Sequence, residues 1–279
     1  MGGIEFDESK GLRIGALVTL EDLSKSLPVK KSFLALSQAA ERVASPQIRN
    51  MGNIGGNICL DSMCWYYNQS HQWRKSRIPC LKHGGDRCYV ANGAKHCCAL
   101  FQADTPPALI ALGAKVKVVS LVEERLVDLE EFYTQKGEKA NIMGSMEFVK
   151  EIQIPTPQRG SGGAYVRLSQ RDAIDFPIVG TASQLSLVDG KCKSVRIVFT
   201  AVASGPVRVK EAEEVLLGNN ITHNLAEKAA ALAQEKIRPL PHKGVSAGYK
   251  RKLIRVMVKR SLKQAWNQAR QEEISWRLT

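Results

Sequence analysis

Two groups of residues in this chain could do chemistry, and they are neighbours. Six of its seven cysteines, Cys59, Cys64, Cys80, Cys88, Cys97 and Cys98, follow directly on a glycine-rich turn, Gly52-Asn53-Ile54-Gly55-Gly56-Asn57, while Cys192 stands apart. Thiolates bind soft metal centres, and Cys64, Cys80, Cys88 and Cys97 form a set of four within a segment rich in Trp, Tyr, His, Lys and Gly. Periodic apolar residues are scarce there, so the segment needs a staple in place of a core. Zinc and an iron–sulfur cluster both accept four thiolates. The absence of a CxxC pair and the wide spacings favour the cluster, with zinc and unligated thiols as the alternatives. Cys59 reads as a small buried hydrophobe. Cys98 could replace Cys97 as fourth ligand, and Cys192 reads as an ordinary thiol.

In the turn, missing side chains would let backbone N–H groups approach a phosphate or another anionic oxygen. On its own this signal is weak, and a purely structural turn between two elements is the favoured reading. It also lacks the GxGxxG spacing, between a strand and a helix, of the dinucleotide fingerprint.

The elements around these groups suit a chain of one or two domains. Its 279 residues are 44% hydrophobic and 24% charged, ordinary values for a globular protein. No apolar run approaches the roughly 20 residues of a membrane span, and the opening MGGIEFDESKG lacks the basic-then-apolar pattern of a signal peptide. The expected compartment is the cytoplasm, where reduced thiols favour metal binding over disulfides. The net charge of +13 is concentrated at the end, with ten Lys/Arg against two Glu over residues 241–279. There Leu253, Val256, Met257, Arg260 and Gln264 recur at helical spacing, predicting an amphipathic helix with a solvated basic face. A docking face for an acidic partner subunit is the alternative, and no nucleic-acid module is recognisable.

In order, the patterns predict a strand over 11–20 with Thr19 capping a helix that begins LEDLSK, and an amphipathic helix over 31–43. A short helix begins at Thr105-Pro106-Pro107, with strands over 115–121, 125–129 and 146–154 after it. Residues 156–163 (TPQRGSGG) read as a linker and place a domain boundary. Beyond it, strands over 164–168, 178–188 and 194–203, with a turn at Asp189-Gly190-Lys191, precede helices over 209–217 and 224–236 and the basic helix. The layout is α+β, with no internal repeat and no membrane partner.

The run IRNMGNIGGNI, the later DTPPAL and LGA, and the stretch GGAYVRLSQRDAIDFPIVGTA resemble the flavin-binding subunit of the xanthine dehydrogenase family of molybdenum hydroxylases. The likeness covers nearly the whole chain. It implies an FAD-binding domain over 1–157 with an insert at 59–103, then a domain over 158–279 of the carbon monoxide dehydrogenase flavoprotein C-terminal type. The insert is similar to the beta subunit of 4-hydroxybenzoyl-CoA reductase, which implies a 4Fe-4S cluster on Cys64, Cys80, Cys88 and Cys97. By motif, the resemblance implies FAD contacts from Asn53, Gly55, Gly56 and Asn57, a hydrogen bond from Asp104, and adenine-side packing at Val43 and Ala44. It puts Arg167 in the place of a basic residue near the flavin, where a family example carries Lys. The N-terminal lobe with its AGGT-type loop is expected to be missing here. The implied function is electron transfer within a molybdenum enzyme that removes a phenolic hydroxyl from an aromatic acyl-CoA. Its implied partners are a molybdenum-cofactor subunit, a two-iron two-sulfur subunit and a ferredoxin-like donor. A purine, aldehyde or N-heterocycle dehydrogenase is the first alternative, and a zinc-stapled basic binding module with no redox role is the second.

Overall fold

The structure is a computed structural model and describes residues 1–242 and 244–277. The chain opens with a hairpin of β1 (Ile4–Asp7) and β2 (Gly11–Gly15). Three short helices follow, α1 (Leu20–Lys25), α2 (Leu27–Ser32) and α3 (Leu34–Glu41). Thr19 caps α1 by accepting from the Asp22 N–H, the expected start signal. The helix expected over 31–43 breaks at Phe33, which closes α2 and opens α3 while its ring is buried. Next come one-turn helices α4 (Pro46–Arg49) and α5 (Ile54–Ile58), then α6 (His71–Lys75) within the insert and α7 (Thr105–Ala111) after it.

Strands β3 (Lys115–Val119) and β4 (Glu124–Asp128) form the expected hairpin. Helix α8 (Leu129–Phe132) leads into a small hairpin of β5 (Tyr133–Lys136) and β6 (Lys139–Asn141), and β7 (Phe148–Ile154) completes this half. Neither β1 nor the β5–β6 hairpin is foreseen in the sequence, because both are short and polar. The first sheet runs β1-β2-β7-β3-β4, every pair antiparallel. Leu12, Ile14, Val116, Val118, Ile152 and Ile154 are buried on its inner face.

Strands β8 (Ser161–Leu168), β9 (Val179–Val188), β10 (Lys191–Thr200) and β11 (Val207–Arg208) build the second, antiparallel sheet in the order β11-β10-β9-β8. The predicted linker is shorter than expected, since Ser161, Gly162 and Gly163 already pair with β9. Helices α9 (Lys210–Glu214), α10 (His223–Lys236) and α11 (Ala247–Arg277) end the chain.

The second sheet is buried on both faces. Helices α3 and α7 pack on one side of it and α11 on the other. Successive residues of a strand face opposite ways, so Tyr165, Ala182 and Val198 join the first core while Ala164, Ile197 and Phe199 join the second. The stripe by which α11 docks differs from the predicted one. Ile254, Met257, Val258, Leu262, Ala265 and Ala269 are buried, whereas Val256, Arg260 and Gln264 are exposed. Lys250 and Ser261 extend the buried side, donating from Lys250 Nζ to the Ala201 carbonyl and sharing a hydrogen bond with Ser183. The small Ala, Ser and Gly residues let helix and sheet meet closely, a signal that hydrophobic spacing alone does not register.

Candidate functional site

The glycine turn is itself helical. Asn53 caps α5, its Oδ1 accepting from the Gly56 N–H at 2.7 Å. The Ile54 and Gly55 N–H groups donate to the Val18 and Ala16 carbonyls, both at 2.9 Å, and the Asn57 N–H to the Asn53 carbonyl. The N–H groups that could have formed an open nest are therefore occupied from within the chain, the structural turn that the sequence favoured. Gly55 has a packing reason instead, because a Cβ there would lie 2.9 Å from both Cβ and O of Ala16.

From α5 the contacts run straight to Asp104. The Asn57 Oδ1 accepts from the Thr105 hydroxyl at 2.6 Å, tying α5 to the first turn of α7. Asp104, the residue before that turn, is 3% exposed and accepts from the Tyr165 hydroxyl at 2.7 Å. Arg167 Nη1 reaches its two oxygens at 3.2 and 3.1 Å and the Asp175 carbonyl at 3.3 Å. Tyr165 and Arg167 share a face of β8 because they are two residues apart. Ala44 sits in the left-handed region at φ 45°, and its carbonyl accepts from the Ile174 N–H at 2.8 Å, closing the 43–44 loop onto the loop that holds Asp175. Asp104, Arg167 and Asn57 thus join one network, Ala44 adjoins it through Ile174, and Gly56 precedes Asn57 in α5 while Asn53 caps that helix at its start.

Burial pushes the Asp104 carboxyl up to about 6, against the opposing pull of Arg167 and the Tyr165 hydroxyl. The side chains of Arg167 and Asp104 are 2% and 4% exposed, an ion pair inside the protein. Arg167 Nε and Nη2 are buried with no hydrogen-bond partner. Unpaired donors on a buried cation are costly, so the network has donors to spare for an acceptor that the chain does not provide.

Sequence relationships fit this geometry. Residues 1–157 match the family described as FAD binding domain in molybdopterin dehydrogenase. The chain belongs to that family. Residues 164–265 match the CO dehydrogenase flavoprotein C-terminal domain. The chain is 31% identical over 260 residues to the 6-hydroxypseudooxynicotine dehydrogenase complex subunit alpha of Paenarthrobacter nicotinovorans, spanning 93% of this chain and 74% of that one. It is 25% identical to a putative xanthine dehydrogenase FAD-binding subunit of Escherichia coli, over 94% of this chain and 77% of that one. The structure of reconstituted CO dehydrogenase from Oligotropha carboxidovorans superposes with a TM-score of 0.75 at 26% identity, covering 95% of this chain and 78% of that one. FAD is the cofactor that this family's domain binds, and the spare Arg167 donors suit an anionic or carbonyl-bearing ligand of that kind.

Within this flavin-domain framework the insert is held at a narrow neck. Met63 and Leu100 exchange two backbone hydrogen bonds of 2.8 Å. Beyond the neck only a small core forms, from Cys64, Cys97 and Ala99 with Tyr66, Tyr67, Leu81 and Val90 against it. Cys64 lies within electrostatic reach of Cys80 and Cys88, and Cys97 within reach of Cys64 and Cys88. The Tyr66 and Tyr67 N–H groups point at the Cys64 sulfur, and the Ala99 N–H donates to the Cys97 sulfur at 3.3 Å. Burial pushes the Cys97 thiol up to about 12. Burial also raises Cys88, but the N–H groups of Cys98, Ala91 and Val90 and the Cys98 thiol outweigh it and bring Cys88 below the usual range. Among the described residues, no three His, Cys, Asp or Glu side chains are arranged to hold a metal ion. Cys59 packs half-buried against the first core, as read from sequence, and Cys192 is buried in the second core.

Sequence reasoning passed over Tyr165, Thr105 and Asp175. Tyr165 has a local signal, its position two residues before Arg167 on a strand. Thr105 opens α7 and Asp175 lies on a loop, and tertiary contacts bring both to the site.

Proposed function

We propose that this chain carries FAD as the electron-transfer subunit of a cytoplasmic molybdenum hydroxylase complex, beside a molybdenum-cofactor subunit and a two-iron two-sulfur subunit. The observation that carries the reading is the Asn57–Thr105–Asp104–Arg167 network with its unpartnered guanidinium nitrogens. Val43, Ala44, Asn53, Gly55, Gly56, Asn57, Asp104 and Arg167 would form this chain's side of the cofactor site. Asn53 and Gly56 would border it, Asn57 would hold α7 in place, and Asp104 would fix the guanidinium. Bound FAD supplies the capacity to take up electrons as a pair and release them singly. The role of Arg167 is to place a fixed positive charge and two unpartnered donor nitrogens, Nε and Nη2, where electron uptake makes a ring more negative. Substrates of the kinds named by the relatives, an N-heterocycle or a purine, are the favoured reading, with bond-making left to the partner subunit. Arg167→Met should lower the FAD retained through purification, read from the flavin absorbance of the folded protein. Full retention at the wild-type reduction potential would sink the assignment.

The insert supports a second, more specific reading, in which Cys64, Cys80, Cys88 and Cys97 hold a 4Fe-4S cluster and the complex is a 4-hydroxybenzoyl-CoA reductase fed by a ferredoxin-like donor. Its support is the spacing of the four cysteines in the insert and the backbone N–H groups directed at the Cys64, Cys88 and Cys97 sulfurs, while the side chains as they stand among the described residues are not arranged to hold a metal ion. Thiolate ligands of a cluster each bind a different iron, and hydrogen bonds to sulfur are among the protein's levers on such centres. A cavity of about 800 Å³ lined by Cys64, Cys98, Trp65 and Tyr89 opens beside it, space in which an electron donor could approach. Iron, sulfide and zinc analysis of anaerobically purified protein decides this. Iron near four per chain (the [4Fe–4S] stoichiometry) with matching sulfide is expected, lost in Cys80→Ser and kept in Cys192→Ser. Stoichiometric zinc, or equal iron loss in both variants, would overturn the ligand set.

A further inference from the structure

On the rim of the Asp104–Arg167 site stands a second arginine that the function above does not use. Strand β8 is the edge of its sheet, and α3 packs along it. Ala35 faces Gly163, where an added Cβ would lie 3.3 Å from the Ala35 Cβ. Three residues on, Gln38 Oε1 accepts from the Tyr165 N–H at 2.8 Å. Helix and strand therefore advance in the same sense. Four more helical residues cover about 6 Å and two more strand residues about 6.6 Å. That step brings Arg42, the C-cap of α3, level with Arg167. The chain is pinned again just beyond, where the Ala44 carbonyl accepts from the Ile174 N–H at 2.8 Å.

From there Arg42 acts electrostatically on both Asp104 and Tyr165. The charge of Arg167 is spent on Asp104 at 3.1 Å. Arg42 is exposed, and among the described residues it has no carboxylate at ion-pair distance. The acid of the facing loop is turned inward, since the Asp175 carboxylate accepts from the N–H groups of Gln170, Arg171 and Phe176. The rim thus carries a positive charge beside an inner pair that is already compensated. The C-terminal end of a helix favours a cation by its dipole alone, so a purely structural role for Arg42 is the rival.

We propose that Arg42 is a further cofactor-contacting residue, a rim cation that takes the phosphate groups of the dinucleotide while Arg167 serves the ring inside. The proposal rests on the FAD reading above. A phosphate loses its water only at high cost, so an exposed cation suits it and the buried one suits the ring. A guanidinium also meets phosphate oxygens with two parallel N–H bonds, which a lysine cannot do.

The test is titration of flavin-free protein with FAD at low and at moderate salt, followed by the reduction potential of the bound flavin. Arg42→Met is expected to bind FAD on the order of tenfold more weakly at low salt, with the gap narrowing as salt screens the charge. Its flavin potential should match the wild type, because the phosphates keep their charge on reduction. FAD affinity equal to the wild type at low salt would overturn the proposal, as would a potential shifted as far as that of Arg167→Met. Arg42→Lys and Arg42→Gln are read beside it. A charge contact requires Lys to bind FAD more tightly than Gln, and equal affinities of the two would favour the structural rival. Wild type that binds no FAD would sink the flavin reading itself, a result seen before any variant is compared.

Discussion

Asp104 is held between opposing influences: burial favours its neutral form, while Arg167 and Tyr165 favour the carboxylate. Burial prevails, and the folded carboxyl sits at about 6 instead of 3.8. A folded pKa above the unfolded one means that the folded state binds the proton more tightly. The contribution of Asp104 to stability is therefore fully present below about pH 4 and is lost as pH rises through 6. Asp104→Asn cannot titrate, so its melting temperature should gain on the wild type between pH 4 and 7. A constant difference over that range, measured by thermal unfolding, would remove Asp104 as the source. Tyr165 and Arg167 were within reach of sequence reasoning because strand alternation puts them on one face. Asp175 was not, since its carbonyl arrives from a loop closed by the Ile174–Ala44 hydrogen bond.

At the scale of elements, the first sheet is stitched on its outer face by charge. Glu151 on β7 pairs with Arg13 on β2 at 2.9 Å and with Lys117 on β3 at 3.3 Å. Burial opposes its charge, but hydrogen bonds from Arg13, Gln153 and Lys117 prevail and hold the carboxyl down to about 2. This stability is present above about pH 4.5 and lost as pH falls towards 2. Glu151→Gln should cost on the order of 1–3 kcal/mol at pH 7 and much less at pH 3, by urea unfolding. An equal loss at both pH values would mean that charge is not the cause. The docking of α11 depends on Gly162, where a Cβ would come 2.1 Å from the Ala265 carbonyl oxygen and 2.5 Å from the Ala269 nitrogen. Gly162→Ala should destabilise by at least the roughly 1–3 kcal/mol of an overpacked core, because helix backbone must move. Unchanged denaturant unfolding would refute that contact. The helix was legible in the sequence but its docking side was not, since closeness here comes from Gly, Ala and Ser, which carry little hydrophobic signal.

For the molecule as a whole, the second sheet joins the two halves. Its Tyr165, Ala182 and Val198 belong to the core of the first half, while its opposite face packs under α11. Neither half keeps its apolar surface covered without the other. Heating should therefore give a single cooperative transition in calorimetry, with calorimetric and van't Hoff enthalpies in agreement. Two resolved transitions would show that the halves are independent. The break at residues 156–163 marks a change of sheet, and the packing crosses it.

Residue types and local patterns alone determined the α+β composition, most of the strands and helices, the insert without a core of its own, and the motifs that carry the family likeness. These follow from short-range physics: alternation, helical spacing, turn residues and capping. Tertiary structure decided what the motifs do. The glycine turn proved to be a capped helical turn packed on Ala16, because its N–H groups found carbonyls within the chain. Asp104 met Arg167, residues 63 apart, and Cys64 and Cys97 met in the small core of the insert. No local pattern encodes such meetings, because they depend on which surfaces the sheets and helices bury against each other.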